Sequence, residues 1–155
     1  MGVVMRVRDV MSTNLKTVAA TLPAEEAWRW MRAMRIHHLV VLDGSSIMGV
    51  ISDRDFGGPN GAAVRADCVV GDLMTRDVVS VGPDTAVQRA ANLMRGRSIG
   101  CVVVTERGRA AGIVTTSDLL ELLGRGALRP APVAKRPALN FRAPHRKRSR
   151  AYGVW

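Results

Sequence analysis

The spacing of apolar and polar positions changes along the chain in a set order, and that order occurs twice. Over residues 23–35 the apolar residues Ala27, Trp30, Met31 and Met34 recur at helical spacing. Glu25 and Arg29 stand four apart on another face, a pair that supports a helix. "HLVVLD" at 38–43 is an apolar run of strand length; a turn, "GSS", leads to a second strand, "IMGVIS". In the second half Val87, Ala90, Ala91 and Met94 form the helical stripe, and "CVVVTE" and "AAGIVT" form the strands. Short extended pieces ending in "TV" at 17–18 and "SV" at 80–81 precede the two helices. Each pass reads β–α–β–β–α, an α/β (α+β) class of fold built from one unit used twice.

A shift of 63 residues superposes the copies without a gap from residue 9 to 55, with 11 of 47 positions identical. Asp9 and Met11 meet Asp72 and Met74, Gly49 meets Gly112, and Asp55 meets Asp118. The stretch "GVISDRD" lands on "GIVTTSD". Ser52 and Thr115 each suit a helix N-cap, with an acid three residues later in the manner of a capping box. The same geometry suits a ligand. An ionised Asp only accepts hydrogen bonds and matches a cis-diol, while a helix start offers free N–H groups to a phosphate. The copies diverge after this motif. "DLLELLG" at 118–124 continues as a short helix closed by Gly124, whereas Phe56 runs into "GGPNG", which truncates the helix and opens a loop of about ten residues.

This doubled pattern resembles the tandem cystathionine-β-synthase (CBS) domain pair over residues 6–124. The likeness rests on the repeated D-[VL]-M opening, the I-x-x-[LV]-V-V strand and the G-h-h-[ST]-x-x-D ending, h being apolar. It implies two units, residues 1–61 and 62–124, packed through their sheets with pseudo-two-fold symmetry around two clefts. In that family the clefts commonly hold AMP, ADP, ATP, S-adenosylmethionine or a cyclic dinucleotide; the Asp takes the ribose and the Ser or Thr lies near phosphate. Carried onto this chain, one cleft comprises Thr115, Asp118, Leu15, Lys16, Ile36, His37 and His38. The other comprises Ser52, Asp55, Val78, Val79, Ile99 and Gly100. The three basic groups of the first make it the better site for a charged nucleotide. The resemblance also implies a non-enzymatic regulatory module and a homodimer associating through helices. Trp28, which lies off the stripe named above, is expected to be buried by a second subunit. Val40 and Val103 stand where many members have Pro.

Charge divides the chain differently. Residues 1–121 hold 14 Lys and Arg against 13 Asp and Glu, whereas residues 122–155 hold 9 Lys and Arg and no acid. Residues 125–155 therefore read as a basic, Pro-containing tail outside any packed core. Its cations Arg142, Arg146, Lys147, Arg148 and Arg150, with Tyr152 and Trp155 nearby, suit RNA, DNA or an acidic protein surface. An alternative function follows: a nucleic-acid- or ribosome-associated protein whose repeat mainly dimerises it. No run of 18 apolar residues marks a membrane span, and two cysteines make no disulfide framework, so a cytoplasmic protein is expected. The histidine pair lacks Cys, Asp or Glu at ligand spacing, which argues against a metal. No nucleophile–base order, Gly-rich phosphate loop with Lys or paired carboxylates indicate catalysis.

Overall fold

Both copies fold on the same plan. In the first, β1 (Thr17–Ala19) leads through α1 (Ala24–Met34) to β2 (His38–Asp43) and β3 (Ser46–Ser52). In the second, β4 (Ser80–Val81) leads through α4 (Val87–Arg97) to β5 (Cys101–Glu106), β6 (Arg109–Thr115) and α5 (Thr116–Gly124). Two short helices, α2 (Ala62–Arg65) and α3 (Val70–Leu73), lie between them. The computed structural model describes residues 3–126, so the basic tail and its cations lie outside the described residues. No helix of the described residues is long and apolar enough to cross a membrane.

The copies match at the level of hydrogen-bond register. Each unit has a three-stranded sheet in which the first strand pairs parallel with the second and the second antiparallel with the third. Thr17 lies opposite Val40, and Ser80 opposite Val103, again 63 residues on. The register slips at Val41/Leu42 in one sheet and at Val104/Thr105 in the other. Helices α1 and α4 both end on a residue in the left-handed conformation, Arg35 and Ser98, each at φ 53°. Such a residue costs about 1–2 kcal/mol relative to ordinary helix geometry. The next residue offsets this, because Ile36 N–H reaches back to the Met31 carbonyl (3.1 Å) and Ile99 N–H to Met94 (3.0 Å). These are the six-to-one bonds of a Schellman ending, with an apolar residue placed to cover them.

Neither unit's core is made only of its own repeat. Val70 and Met74, from the second copy's opening, are buried with Val18, Met31, Leu39, Val41 and Ile51 of the first. Val7, from the first copy's opening, is buried with Val81, Ala90, Met94, Val102, Val104 and Val114 of the second. The exchange explains the repeated D-x-M pattern. Asp9 and Asp72 accept the backbone N–H of Arg6 (2.9 Å) and Val69 (3.0 Å), closing the turn in each opening segment. Residue Thr75 then exchanges backbone bonds with Val50 (2.8 and 3.0 Å), and Ser12 with Ile113 (2.9 and 3.0 Å). The chain lies so close that a Cβ on Gly49 would sit 2.7 Å from the Thr75 carbonyl oxygen and 2.8 Å from Met74 Sδ. On Gly112 it would sit 2.8 Å from the Ser12 carbonyl oxygen and 3.0 Å from Met11 Sδ. Two repeated glycines thus admit two crossing segments.

The structure corrects the reading of α1. Its buried face is Ala24, Ala27, Trp28 and Met31, so Trp28 is 7% exposed within its own unit while Trp30 is 50% exposed. Positions 24, 27, 28 and 31 follow helical spacing as well as the stripe through Trp30 does, and the truncated helix after Asp55 decides between them. Phe56 takes the place of Leu119, and the chain then leaves the repeat. Trp28 fills the vacated volume against Phe56, with ring centres 6.1 Å apart. Arg65, 4% exposed, closes the gap: its guanidinium lies 4.5 Å from the Trp28 ring centre. It donates to Glu25 (2.7 Å) and to the carbonyls of Phe56 (2.9 Å) and Gly58 (2.8 Å). Hydrogen bonds of a buried charge contribute about 1.5–3 kcal/mol each, so Arg65 anchors the irregular connection. No second subunit is needed to bury Trp28. Helix α5 ends at Gly124 as expected, although the positive φ (71°) falls not there but at Gly126.

The glycine contacts yield a paired expectation. Gly49→Ala and Gly112→Ala push against backbone and should each cost about 1–3 kcal/mol. Gly96→Ala, in the last turn of α4 with nothing within 4 Å, should stabilise by up to about 0.5–1 kcal/mol. Urea titration followed by circular dichroism reads all three. An unchanged midpoint in Gly112→Ala would show that the crossing segment does not lie flush on β6.

Candidate functional site: two clefts between the units

Each Ser/Thr-x-x-Asp motif stands at the mouth of a cleft between the two sheets. In the second copy the motif caps α5. Asp118 N–H donates to Thr115 Oγ1 (3.3 Å), and Asp118 Oδ2 accepts from Thr115 N–H (2.7 Å) and from the Thr115 hydroxyl (2.9 Å). In the first copy no helix follows, yet the same bonds form: Ser52 N–H and hydroxyl donate to Asp55 Oδ2 at 2.8 and 3.0 Å, and Asp55 N–H donates to Ser52 Oγ at 3.3 Å. The cap and a site therefore draw on different atoms of one side chain. Oδ2 serves the cap. Oδ1 of either Asp has no hydrogen-bond donor among the described residues and is left to accept others. The hydroxyl proton of Thr115 is likewise spent on Asp118, so it reaches a phosphate only by turning away from that bond. Ser117, in the first turn of α5 and facing both clefts, is the freer hydroxyl.

The structure brings the seven residues named for the Asp118 cleft into one cavity of about 250 Å³. Leu15, Lys16, Ile36, His37, His38, Thr115 and Asp118 line it, joined by Ser12, Asn14, Arg35, Ile113 and Ser117. The six named for the Asp55 cleft, Ser52, Asp55, Val78, Val79, Ile99 and Gly100, line a second cavity of about 430 Å³. That cavity also takes in Asp53, Arg54, Asp77, Ser98 and Cys101. Sequence reasoning missed Arg35, whose place beside the cleft follows from the left-handed turn after α1. Nothing in the residue types there signals such a turn, for which glycine is the usual choice.

The histidines are not equivalent. His37 Nδ1 lies 2.9 Å from Asp53 Oδ2, so one ring nitrogen is engaged and only the other faces outward. His38 lines both clefts. Its ring packs on the opposite unit, with Nε2 at 3.0 Å from where a Gly100 Cβ would stand. Burial holds its pKa below the ordinary 6.5; Asp53 and Asp55 pull the other way, and His37 and Arg54 add to the lowering. Cys101, the equivalent of His38 in the second copy, has its thiol pushed up to about 11, chiefly by burial and secondarily by Asp55. It is a packing residue rather than a nucleophile. No group of three metal-binding side chains occurs among the described residues.

Comparison with known proteins agrees with this geometry. The family model of the CBS domain matches the chain twice, over residues 7–56 and 70–125. A CBS domain-containing protein of Dictyostelium discoideum is 32% identical over 139 residues, covering 81% of this chain and 95% of that protein. The inosine-5′-monophosphate dehydrogenase of Korarchaeum cryptofilum is 33% identical over 118 residues, covering 75% of this chain. A homoserine O-acetyltransferase of Methanohalobium evestigatum is 29% identical over 119 residues, covering 76% of it. The chain spans 24% of the length of each of those two enzymes. Among solved structures, the CBS domain pair of protein MJ0100, in complex with methylthioadenosine and S-adenosylmethionine, superposes with a TM-score of 0.72 at 26% identity. The match covers 79% of this chain and 98% of that one. The CBS-domain containing protein ATU1752 from Agrobacterium tumefaciens superposes with a TM-score of 0.69 at 26% identity, covering 77% and 99%. Two family matches that take in both cleft motifs, and a relative matched along nearly its whole length, place this chain in the CBS domain family as a tandem CBS pair.

Proposed function

We propose that the chain is a regulatory module that binds an adenine nucleotide of the AMP/ADP/ATP class in the Asp118 cleft. The observation that carries this reading is the convergence there of Asp118 Oδ1, the start of α5 and the cations Lys16 and Arg35. A ribose diol donates to Oδ1. The 5′-phosphates meet Lys16, Arg35 and Ser117, whose N–H and hydroxyl in the first turn of α5 have no partner among the described residues. Leu15, Ile36 and Ile113 supply apolar walls for the base. A relative that carries such a pair with methylthioadenosine and S-adenosylmethionine supports an adenosine ligand. The regulatory, non-catalytic part of the reading draws on a different point. One and the same segment resembles a quarter of a dehydrogenase and a quarter of an acetyltransferase, whose reactions have no step in common. The shared segment is then a control element rather than the catalyst.

Homodimerisation belongs to the same proposal on new grounds. Trp30 on α1 is 50% exposed, and Leu120 and Leu123 on α5 are 63% and 57% exposed, which leaves apolar side chains on helices that a second copy would cover. Light scattering of the full chain at micromolar concentration should report a dimer, and Trp30→Glu with Leu120→Glu should return a monomer. A monomeric parent chain would reject the dimer.

Asp118→Ala should weaken ATP binding about a hundredfold or more, because bonds to a charged group contribute about 1.5–3 kcal/mol each and 1.4 kcal/mol is tenfold. It should also cost about 1 kcal/mol of stability through the lost cap, which thermal melting measures separately. Calorimetry giving equal affinity for parent and variant would reject the assignment. Binding should also depend on pH. His38 is neutral near pH 7 because its pKa lies below 6.5, and a phosphate placed beside it raises that pKa. Binding then takes up a proton, so affinity for ATP should rise as pH falls from about 7.5 towards 6, and His38→Gln should flatten the slope. Titration in two buffers of different ionisation enthalpy counts the proton. No uptake, or the same slope in His38→Gln, would remove His38 from the phosphate environment.

A further inference from the structure

The repeat allows the two clefts to be compared position by position, and the charges do not repeat. Against Lys16, Arg35, His37 and His38 of the Asp118 cleft stand Val79, Ser98, Gly100 and Cys101 of the Asp55 cleft. Against neutral Asn14 stands Asp77. Lys16, Arg35 and both histidines are thus matched by uncharged residues and one amide by a carboxylate, while Arg54 stands where the other copy has Ser117 and His38 itself lines both clefts. The Asp55 cleft carries three carboxylates, Asp53, Asp55 and Asp77, against the single permanent cation Arg54. Asp53 is held by His37, and Asp77 meets Arg97 only at 3.8 Å with both groups exposed, a contact that neutralises little. The rest of the wall includes Val50, Val78, Val79, Ile99 and Cys101. Yet the ribose-accepting feature is intact: Ser52 holds Asp55 Oδ2 as Thr115 holds Asp118 Oδ2, and Oδ1 has no donor among the described residues.

We infer that the two clefts sort adenosine ligands by charge: the Asp118 cleft takes the phosphorylated nucleotide, and the Asp55 cleft takes an adenosine derivative that bears no phosphate. This rests on the function proposed above and deepens it. The second cleft is not a damaged copy of the first. It keeps the group that recognises a diol and has no counterpart of Lys16 or Arg35, so that Arg54 and the shared His38 are the basic side chains left to line it. A phosphate entering it would be desolvated beside carboxylates with one exposed arginine to meet it, whereas a neutral thioether would lie on valine and isoleucine. Val79 and Asp77 are therefore the specificity-determining positions.

Calorimetry on the full chain tests this with ATP and methylthioadenosine as the probes. ATP should bind one equivalent per chain, lost in Asp118→Ala and retained in Asp55→Ala. Chain saturated with ATP should still bind one equivalent of methylthioadenosine, and Asp55→Ala should remove it. The double variant Asp77→Asn, Val79→Lys restores a cation and removes a carboxylate at the matching positions; it should raise the ATP stoichiometry from one to two, with at least a tenfold gain at the second cleft. Two equivalents of ATP on the parent chain overturn the inference while leaving nucleotide binding intact. So does methylthioadenosine that only competes with ATP, or a double variant that still takes one equivalent. If neither probe binds at all, the nucleotide reading itself is lost, and the inference goes with it.

Discussion

The closeness with which Thr75 passes over Gly49, and Ser12 over Gly112, sets the rest of the molecule. Backbone can pair with backbone at those two crossings only because no Cβ intervenes. Once paired, each opening segment delivers its apolar residues into the other unit's core: Val70 and Met74 in one direction, Val7 in the other. Strands β3 and β6 are thereby held in contact across the two units, and residues of both units line the two clefts. Leu15 and Lys16 reach the Asp118 cleft because they follow Ser12 out of its crossing. Val78 and Val79 reach the Asp55 cleft because they follow Thr75 out of the other. The residues that line each cleft are aligned by a constraint on backbone approach several residues away.

Much of this was legible in the sequence, for a physical reason. Strand and helix spacing, the parallel and antiparallel pairings and the register all repeat at 63 residues, and repetition turns each weak local signal into two concordant ones. The residues predicted for each cleft gather in one cavity because they hang on those repeated elements. What escaped the sequence lies where the copies differ or where geometry outruns residue type. The burial of Trp28 depends on Phe56 and Arg65 in a connection that has no counterpart, and two helical stripes were equally apolar on paper. Arg35 enters its cleft through a left-handed turn that arginine rarely adopts. The division of labour between the two oxygens of Asp118 belongs to bond directions, which no letter of the sequence records.

The cap bonds engage only one oxygen of each aspartate. The reciprocal bonds between Thr115 and Asp118 fix the carboxylate in place, so any further bond to its other oxygen would cost little side-chain entropy. Ser52 and Asp55 keep the same bonds although no helix follows them. Without a helix to cap, they close the turn in which Asp55 N–H also donates to the Ser52 carbonyl (3.1 Å).

The exchange of opening segments also has a consequence in time. A ribosome releases residues in order, and residues 6–12 emerge long before β6, the strand they lie against, has been made. The first unit cannot complete its interior until residues 70–75 arrive, and the second cannot complete its own until the earliest segment returns across more than a hundred residues. Contacts of such sequence separation slow folding, because the loop must close before the contact rewards it. Both halves therefore mature together, late in synthesis, and a chain interrupted between them would leave two incomplete interiors rather than one finished unit and one missing.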